Sequence, residues 1–324
     1  MTRGSNDSEC YYPRAQASGL VPTIFHERWW LDIETNGNFD VVECFEDGKL
    51  VGWLPYFLKR KSGFTYSVNP KMTHFIGPAI NEGNGSSETR FLRKLQITRE
   101  LISKLPPASV YKYKLHRDVT DVVAFQAEQF STNVQFTFEV PPQVTDALWN
   151  NMRPKKRKKI RKASEELTSY DIEDPELFWN FYEKNLKWRG LYCSYYDKIS
   201  TCKIIEACLT RNCGRIYAAK DKRGSLVAVL FCIWDQFSTY YYMTSRTEDA
   251  HGGATSLLVW NAMQDAAQKG LIFDFDGLTN AKSILFYAEF GGTLSPRYVV
   301  TRSTLIGGIA LGLKTALDGK NFFY

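Results

Sequence analysis

The strongest constraint on how this chain folds is that it repeats itself. DGKLVGWLPYFLKRKSGFTY (47–66) and RGSLVAVLFCIWDQFSTYYY (223–242) each place a turn glycine, Gly48 or Gly224, before Leu-Val and a long β-rich run. The segments ahead of them, FDVVECFED (39–47) and RIYAAKDKR (215–223), read as strands entering that turn. Downstream, SSETRFLRKLQITRELISKL (86–105) and GGATSLLVWNAMQDAAQKG (252–270) carry apolar residues near helical spacing. Each is followed by a further strand, VYKYKLH (110–116) or LIFDFDG (271–277). The order strand, strand, strand, helix, strand therefore occurs twice at an offset of 176 residues. That period is too long for a solenoid and marks a duplicated domain.

Length agrees, since 324 residues are many for one core, and 44% hydrophobic content can fill two. Mixed, mostly antiparallel strands interleaved with helices predict an α/β (α+β) fold, a sheet flanked by helices, used twice. Two more helices precede the strands of the second half. DPELFWNFYEKNLKWRG (174–190) opens on an Asp cap with Pro at the first helical position, and DKISTCKIIEACLTRN (197–212) follows. The boundaries expected are 1–135 for the first domain and 136–305 for the second, with a basic helix at 153–167 and a C-terminal tail at 306–324.

The net charge of +6 is local: RPKKRKKIRK (153–162) holds eight basic residues, and without them the chain is slightly acidic. Isolated nucleic-acid binding is therefore not expected. Eight cations in ten residues are too dense for one helix face, so most are solvated. They form either a plain linker helix or a contact for a phosphorylated partner or an anionic membrane surface. The longest uncharged apolar runs, LVAVLFCIW (226–234) and LIGGIALGL (305–313), have nine residues each, against about 20 for a membrane span. The polar N-terminus predicts no secretory signal, and a cytoplasmic protein, peripheral at most to the inner face of the membrane, is expected. Seven cysteines without a C-x-x-C pair and four scattered histidines make no zinc spacing, so no metal is expected.

A ligand is expected in the second half. There the strand ending at Arg246 leads into HGGATS (251–256) and a helix. Gly252, Gly253 and Ala254 let a backbone approach a ligand closely, and Thr255 and Ser256 place hydroxyls on a first helical turn, where free N–H groups favour an anion. The same residues would also serve simply to turn and cap the chain. In LIFDFDGLTNAKSILFYAEFGG (271–292) a strand runs into Asp276-Gly277, and Asn280 and Tyr287 stand two turns apart on one helix face. Asp274 and Asp276 share a strand face by period 2.

The Asn280, Tyr287 and Gly291 spacing resembles the final helix of the GNAT N-acetyltransferase fold. In that family the Asn helps hold coenzyme A and the Tyr can protonate the leaving thiolate. The family's pyrophosphate loop carries an Arg or Gln before its glycines; DAHGGATS does not, and Arg246 lies too far upstream. The two tandem halves, the RKKIRKA helix between them and DFDG…FYAEFGG near the end resemble the FemAB group over most of residues 25–305. That resemblance implies two tandem GNAT-like domains and an acyltransferase. The donor it implies is acetyl-CoA or another acyl-CoA, and the acceptor a small-molecule or lipid-linked amino sugar or cell-envelope precursor. The alternatives are an aminoacyl-tRNA-dependent transferase acting on a peptidoglycan precursor, with tRNA as partner, and a non-catalytic envelope-associated scaffold. The tRNA-dependent members carry Phe-Lys where this chain has Phe286-Tyr287, which favours the CoA-type donor.

Amine acylation needs a base, a stabilised oxyanion and a proton for the leaving group. Asp276 is the candidate base, or else caps the following turn. Tyr287 is the candidate acid, or else a packed aromatic. A backbone N–H within Tyr242–Arg246 is the expected oxyanion donor. For the acceptor, Arg246, Trp188, Arg189 and His74 are the candidates: tryptophans stack on sugars, and His74 either reaches the interdomain cleft or is structural.

Overall fold

The computed structural model describes residues 19–188, 196–278 and 281–309. After a 3-10 turn at Ile24–His26, the chain forms α1 (Arg28–Thr35), hairpin β1 (Asp40–Glu46) and β2 (Lys49–Tyr56), hairpin β3 (Leu58–Lys61) and β4 (Phe64–Val68), and β5 (Ala79–Ile80). Then come α2 (Ser87–Ser103), β6 (Val110–Lys114), α3 (Val123–Ala127) and β7 (Ser131–Val140). The second half runs α4 (Thr145–Asn151), α5 (Pro154–Glu166), β8 (Thr168–Ile172), α6 (Pro175–Trp188), α7 (Lys198–Thr210), β9 (Gly214–Lys220), β10 (Leu226–Trp234) and β11 (Ser238–Arg246). It ends with α8 (Ala254–Gln268), β12 (Ile272–Asp274), α9 (Ala281–Ala288) and β13 (Thr293–Ser303).

Two compact units result among the described residues: 19–135 joined by 296–309, and 136–295. The second unit thus stops short of the expected residue 305. The reason is pairing: Val299–Ser303 of β13 run antiparallel to Val110–Lys114 of β6, in the first unit.

In the first unit β1, β2 and β5 form one antiparallel sheet, while β4 pairs with β3 on one side and, in parallel, with β6 on the other. Large aromatic side chains fill its core, among them Phe25, Trp30, Trp53, Phe75, Tyr111 and Tyr113, each at most 1% exposed. His26 and His116 meet edge to face inside it, 5.2 Å apart. Each ring reaches a carbonyl, Gly77 for His26 and Pro78 for His116, and burial holds both well toward the neutral form.

In the second unit the strands lie in the order β7, β12, β11, β10, β9, β8, and only β11 and β12 run parallel. α8 covers one face, setting Leu258, Val259, Ala262 and Met263 against Ala228, Leu230 and Cys232. α6 and α7 contribute buried Phe178, Ile204, Ile205 and Cys208, and the Phe178 ring packs on Phe231 at 5.9 Å. The apolar run LVAVLFCIW is explained by this sandwiching: it is β10, a central strand buried on both faces. Capping follows the sequence. Asp174 accepts from Glu176 N and Leu177 N at the start of α6, and Asp197 from Ser200 N at the start of α7.

The basic segment is α5. Its buried face is Lys156, Ile160 and Ala163, continuing to Leu167, so one lysine occupies a position in an otherwise apolar stripe. The first turn carries no acid and several cations, which the helix dipole opposes. Burial of that stripe against the rest of the unit, not intrinsic helix stability, therefore holds the helix in place.

Candidate active site

The site forms where β11 and β12 part. Their parallel pairing covers only Ser238–Tyr240 against Ile272–Asp274, and β11 continues to Arg246 without it. β11 also carries a β-bulge against β10: Met243 faces Phe231 and Tyr241 faces Cys232, leaving Tyr242 as the extra residue. The expected oxyanion donor falls in this stretch, but the Tyr242 N–H itself meets the buried Cys232 thiol.

The two aspartates after β12 separate in role. Asp274 is fully buried; its Oδ1 accepts from Thr137 Oγ1 at 2.6 Å and from Asp276 N at 2.8 Å. Thr137 Oγ1 accepts in turn from Gly277 N at 3.0 Å. Asp274 is thus the residue that fixes the turn, the part the sequence offered as one alternative for Asp276. Nor do the two share a strand face as expected, because β12 ends at Asp274 and Asp276 adopts φ 57°. A non-glycine residue in the left-handed region is strained and needs such a network to hold it there. Asp276 stays half-buried at the mouth of the divergence.

Tyr287 is 8% exposed and stacks on Phe275, the neighbour of Asp276, with ring centroids 4.6 Å apart. The Tyr241 ring meets Tyr287 edge to face at 5.5 Å, and burial pushes the Tyr241 hydroxyl up, with Thr244 and Tyr287 opposing. Of the two readings of Tyr287, the packed aromatic is the one these contacts describe. Gly291 ends this helix region at φ 82°, and a Cβ there would lie 2.6 Å from Asn151 O, so only glycine fits.

One functional candidate went unrecognised in the sequence. Lys156 is 1% exposed; its Nζ lies 3.1 Å from Glu289 Oε2 and 3.4 Å from Ser256 Oγ. It also sits over the Phe286 and Phe290 rings, at 3.8 and 4.3 Å. Burial is the main reason its ammonium is pushed down to about 8, with Glu289 opposing. The signal was present as helical spacing, Lys156, Ile160, Ala163, Leu167, but a dense run of cations masks which one faces inward.

The glycine loop is more structural than expected. A Cβ on Gly253 would lie 2.6 Å from Lys159 O and 2.9 Å from Ala163 Cβ, so this glycine lets α5 close against α8. Gly253 N donates to His251 Nδ1, and Ala254 N to His251 O. Ala254 is buried and Ser256 faces Lys156 rather than solvent. Gly252 is exposed, Thr255 half-buried, and a Cβ on Gly252 would lie 3.9 Å from Lys159 Nζ. Gly252 and Thr255 are thus the accessible residues of the loop, and Lys159 is the cation beside them. Arg246 ends β11 half-buried, and Trp188 ends α6 at 54% exposure. His74 belongs to the first unit, where its ring stacks on Phe25 at 5.8 Å. Asn280 and Arg189 lie outside the described residues.

Residues 150–282 match the family model of the acetyltransferase (GNAT) domain. That stretch of the second unit is GNAT-like. In overall fold the chain is similar to FemX. It superposes on the crystal structure of FemX with a TM-score of 0.63 at 13% identity, over 85% of this chain and 90% of that one. A similar likeness extends to the C-terminal domain of a putative lysylphosphatidylglycerol synthetase from Agrobacterium fabrum: TM-score 0.63, 12% identity, 94% and 96% of the two chains. L-PGS from Bacillus licheniformis follows at TM-score 0.56 and 12% identity, with 95% and 96% covered. No curated protein matches the chain in sequence. Among the described residues no helix is long and apolar enough to cross a membrane, and no cluster of His, Cys, Asp and Glu could hold a metal ion.

Proposed function

We propose that this chain is an acyltransferase that moves an acyl group from an acyl-CoA, acetyl-CoA in the simplest case, to the amine of an amino sugar or cell-envelope precursor. The observation that carries the reading is the parting of β11 from β12, with Asp276 at its mouth and the Tyr287 ring packed on Tyr241 along its wall. Acyl-CoA, when bound, supplies an activated thioester. Gly252, Thr255 and Lys159 hold the pyrophosphate end by backbone N–H groups, a hydroxyl and an ammonium. Asp276 takes the proton from the acceptor ammonium, since only the neutral amine is a nucleophile. The Tyr287 O–H donates a proton toward the leaving thiolate, its ring held by Tyr241 and Phe275. The exposed cations of α5 attract a phosphorylated or lipid-linked acceptor, which suits a cytoplasmic enzyme working at the inner face of a membrane.

Calorimetric titration with acetyl-CoA, on the wild type and on Lys159→Glu, tests the donor. Binding that weakens in the variant supports the reading; no heat even at high ligand concentration removes acetyl-CoA. With an amino-sugar acceptor, Asp276→Asn and Tyr287→Phe are expected to abolish most turnover while leaving acetyl-CoA binding intact. A charged tRNA as donor is the second reading, favoured by the exposed lysines and arginines of α5. Salt-sensitive retention of the protein on tRNA, without acetyl-CoA binding, would put it first.

A further inference from the structure

We propose that Lys156 is a positioning residue of this site: its buried ammonium, held by Glu289 and the Phe286 and Phe290 rings, ties α9 to α5 and so sets where the Tyr287 hydroxyl stands. The proposal deepens the acyl-transfer reading of Tyr287 and rests on it for its functional meaning.

Position i of the Lys156, Ile160, Ala163 stripe is where a helix of this kind carries an apolar residue. Desolvating an ammonium there opposes folding, and hydrocarbon of similar volume generally serves stability at least as well. Geometry is what the lysine adds. Its contacts come from two other elements and converge on the segment that carries Tyr287: Phe286 precedes that residue, and Glu289 and Phe290 follow it within one turn. The backbone repeats the link, since Arg153 N donates to Glu289 O at 3.0 Å. Tyr287 is therefore fixed from two sides, by Lys156 through its sequence neighbours and by Tyr241 and Phe275 through its ring.

The charged groups that face Lys156 are few. Glu289 comes from the end of α9, and Lys159 lies one turn along α5. α8 offers only the Ser256 hydroxyl, and α9 itself the two aromatic rings. When the ammonium loses its proton, the ion pair and both cation–ring contacts are lost together, because all three need the same charge. Burial has brought that event to about pH 8. The end of α9 is then held only by packing and by one backbone hydrogen bond.

The experiment uses full-length protein labelled with 13C at the tyrosine ring carbon bearing the hydroxyl. The Tyr287 signal is assigned by its loss in Tyr287→Phe. In the wild type this signal is expected to move between pH 7 and pH 9, with a midpoint near 8. In Lys156→Met it should sit at its high-pH position throughout, and in Lys156→Arg, which keeps a charge over that range, at its low-pH position. Circular dichroism checks that each variant is folded. A Tyr287 signal that coincides at pH 7 in wild type and folded Lys156→Met, or that does not move with pH in the wild type, overturns the proposal. Parallel titration with acetyl-CoA keeps the two claims separate: no binding to the wild type defeats the donor reading, while the tyrosine signal still decides the role of Lys156.

Discussion

Replacing Lys156 with methionine should stabilise the second unit at neutral pH, against the usual expectation for removing a buried ion pair. The reasoning starts from the ammonium, which burial moves from 10.5 to about 8. Each tenfold change in acidity corresponds to about 1.4 kcal/mol. At 1% exposure the side chain has no solvent screening to discount. The charged lysine therefore opposes folding by about 3 kcal/mol at pH 7. Methionine keeps most of the contact with Phe286 and Phe290, and Glu289, 26% exposed, turns to water, so an expected gain of about 2 kcal/mol remains. The difference falls as pH rises. Between about 8 and 10.5 the unfolded lysine still holds its proton while the folded one has lost it, so wild-type stability rises through that window. The advantage of the methionine variant should accordingly shrink from pH 7 to pH 10. Urea denaturation of both proteins at matched pH values reads the difference directly, and other titrating groups cancel between them. A variant less stable than wild type at pH 7, or a difference that ignores pH, would refute the account of Lys156 as a desolvated ammonium.

Other outcomes follow from the same contacts. Thr137→Val removes the hydroxyl that donates to the buried Asp274 and accepts from Gly277 N, leaving Asp274 Oδ1 with Asp276 N alone and Gly277 N without this acceptor. It should cost about 1–3 kcal/mol by denaturant unfolding and lower acetyl-transfer as the Asp276 turn loosens. Gly253→Ala would force a methyl to within 2.6 Å of Lys159 O, pushing α5 from α8; a loss of about 1–3 kcal/mol is expected, and unchanged stability would contradict the close approach. Tyr287→Phe should alter stability by no more than about 1 kcal/mol, since the stacked ring remains. A larger loss would assign the hydroxyl a structural role instead.

The duplication, the strand and helix order and the final helix with its Tyr287 and Gly291 were legible because each rests on local periodicity or on a backbone need only glycine meets. The basic run was legible as a solvated helix, since charge density is a property of composition. The identity of the one lysine that turns inward was not, for all eight cations look alike until a partner surface selects a face. The same limit applied to LIFDFDG. Period 2 set Asp274 and Asp276 side by side, and only the Thr137 side chain, far away in sequence, shows that the strand stops between them.

By itself, then, the sequence determined what neighbours along the chain can decide: two sheet-and-helix halves, where helices start and stop, and which strand tip carries acids. Tertiary structure decided what depends on surfaces meeting. Contact between α5 and α8 claimed Gly253 and Ser256 for packing and left Gly252 beside Lys159. Pairing of β13 with β6 moved residues 296–303 into the first unit. Desolvation made Lys156 a different chemical group from the lysines around it, because an ammonium's acidity is set by what surrounds it in space.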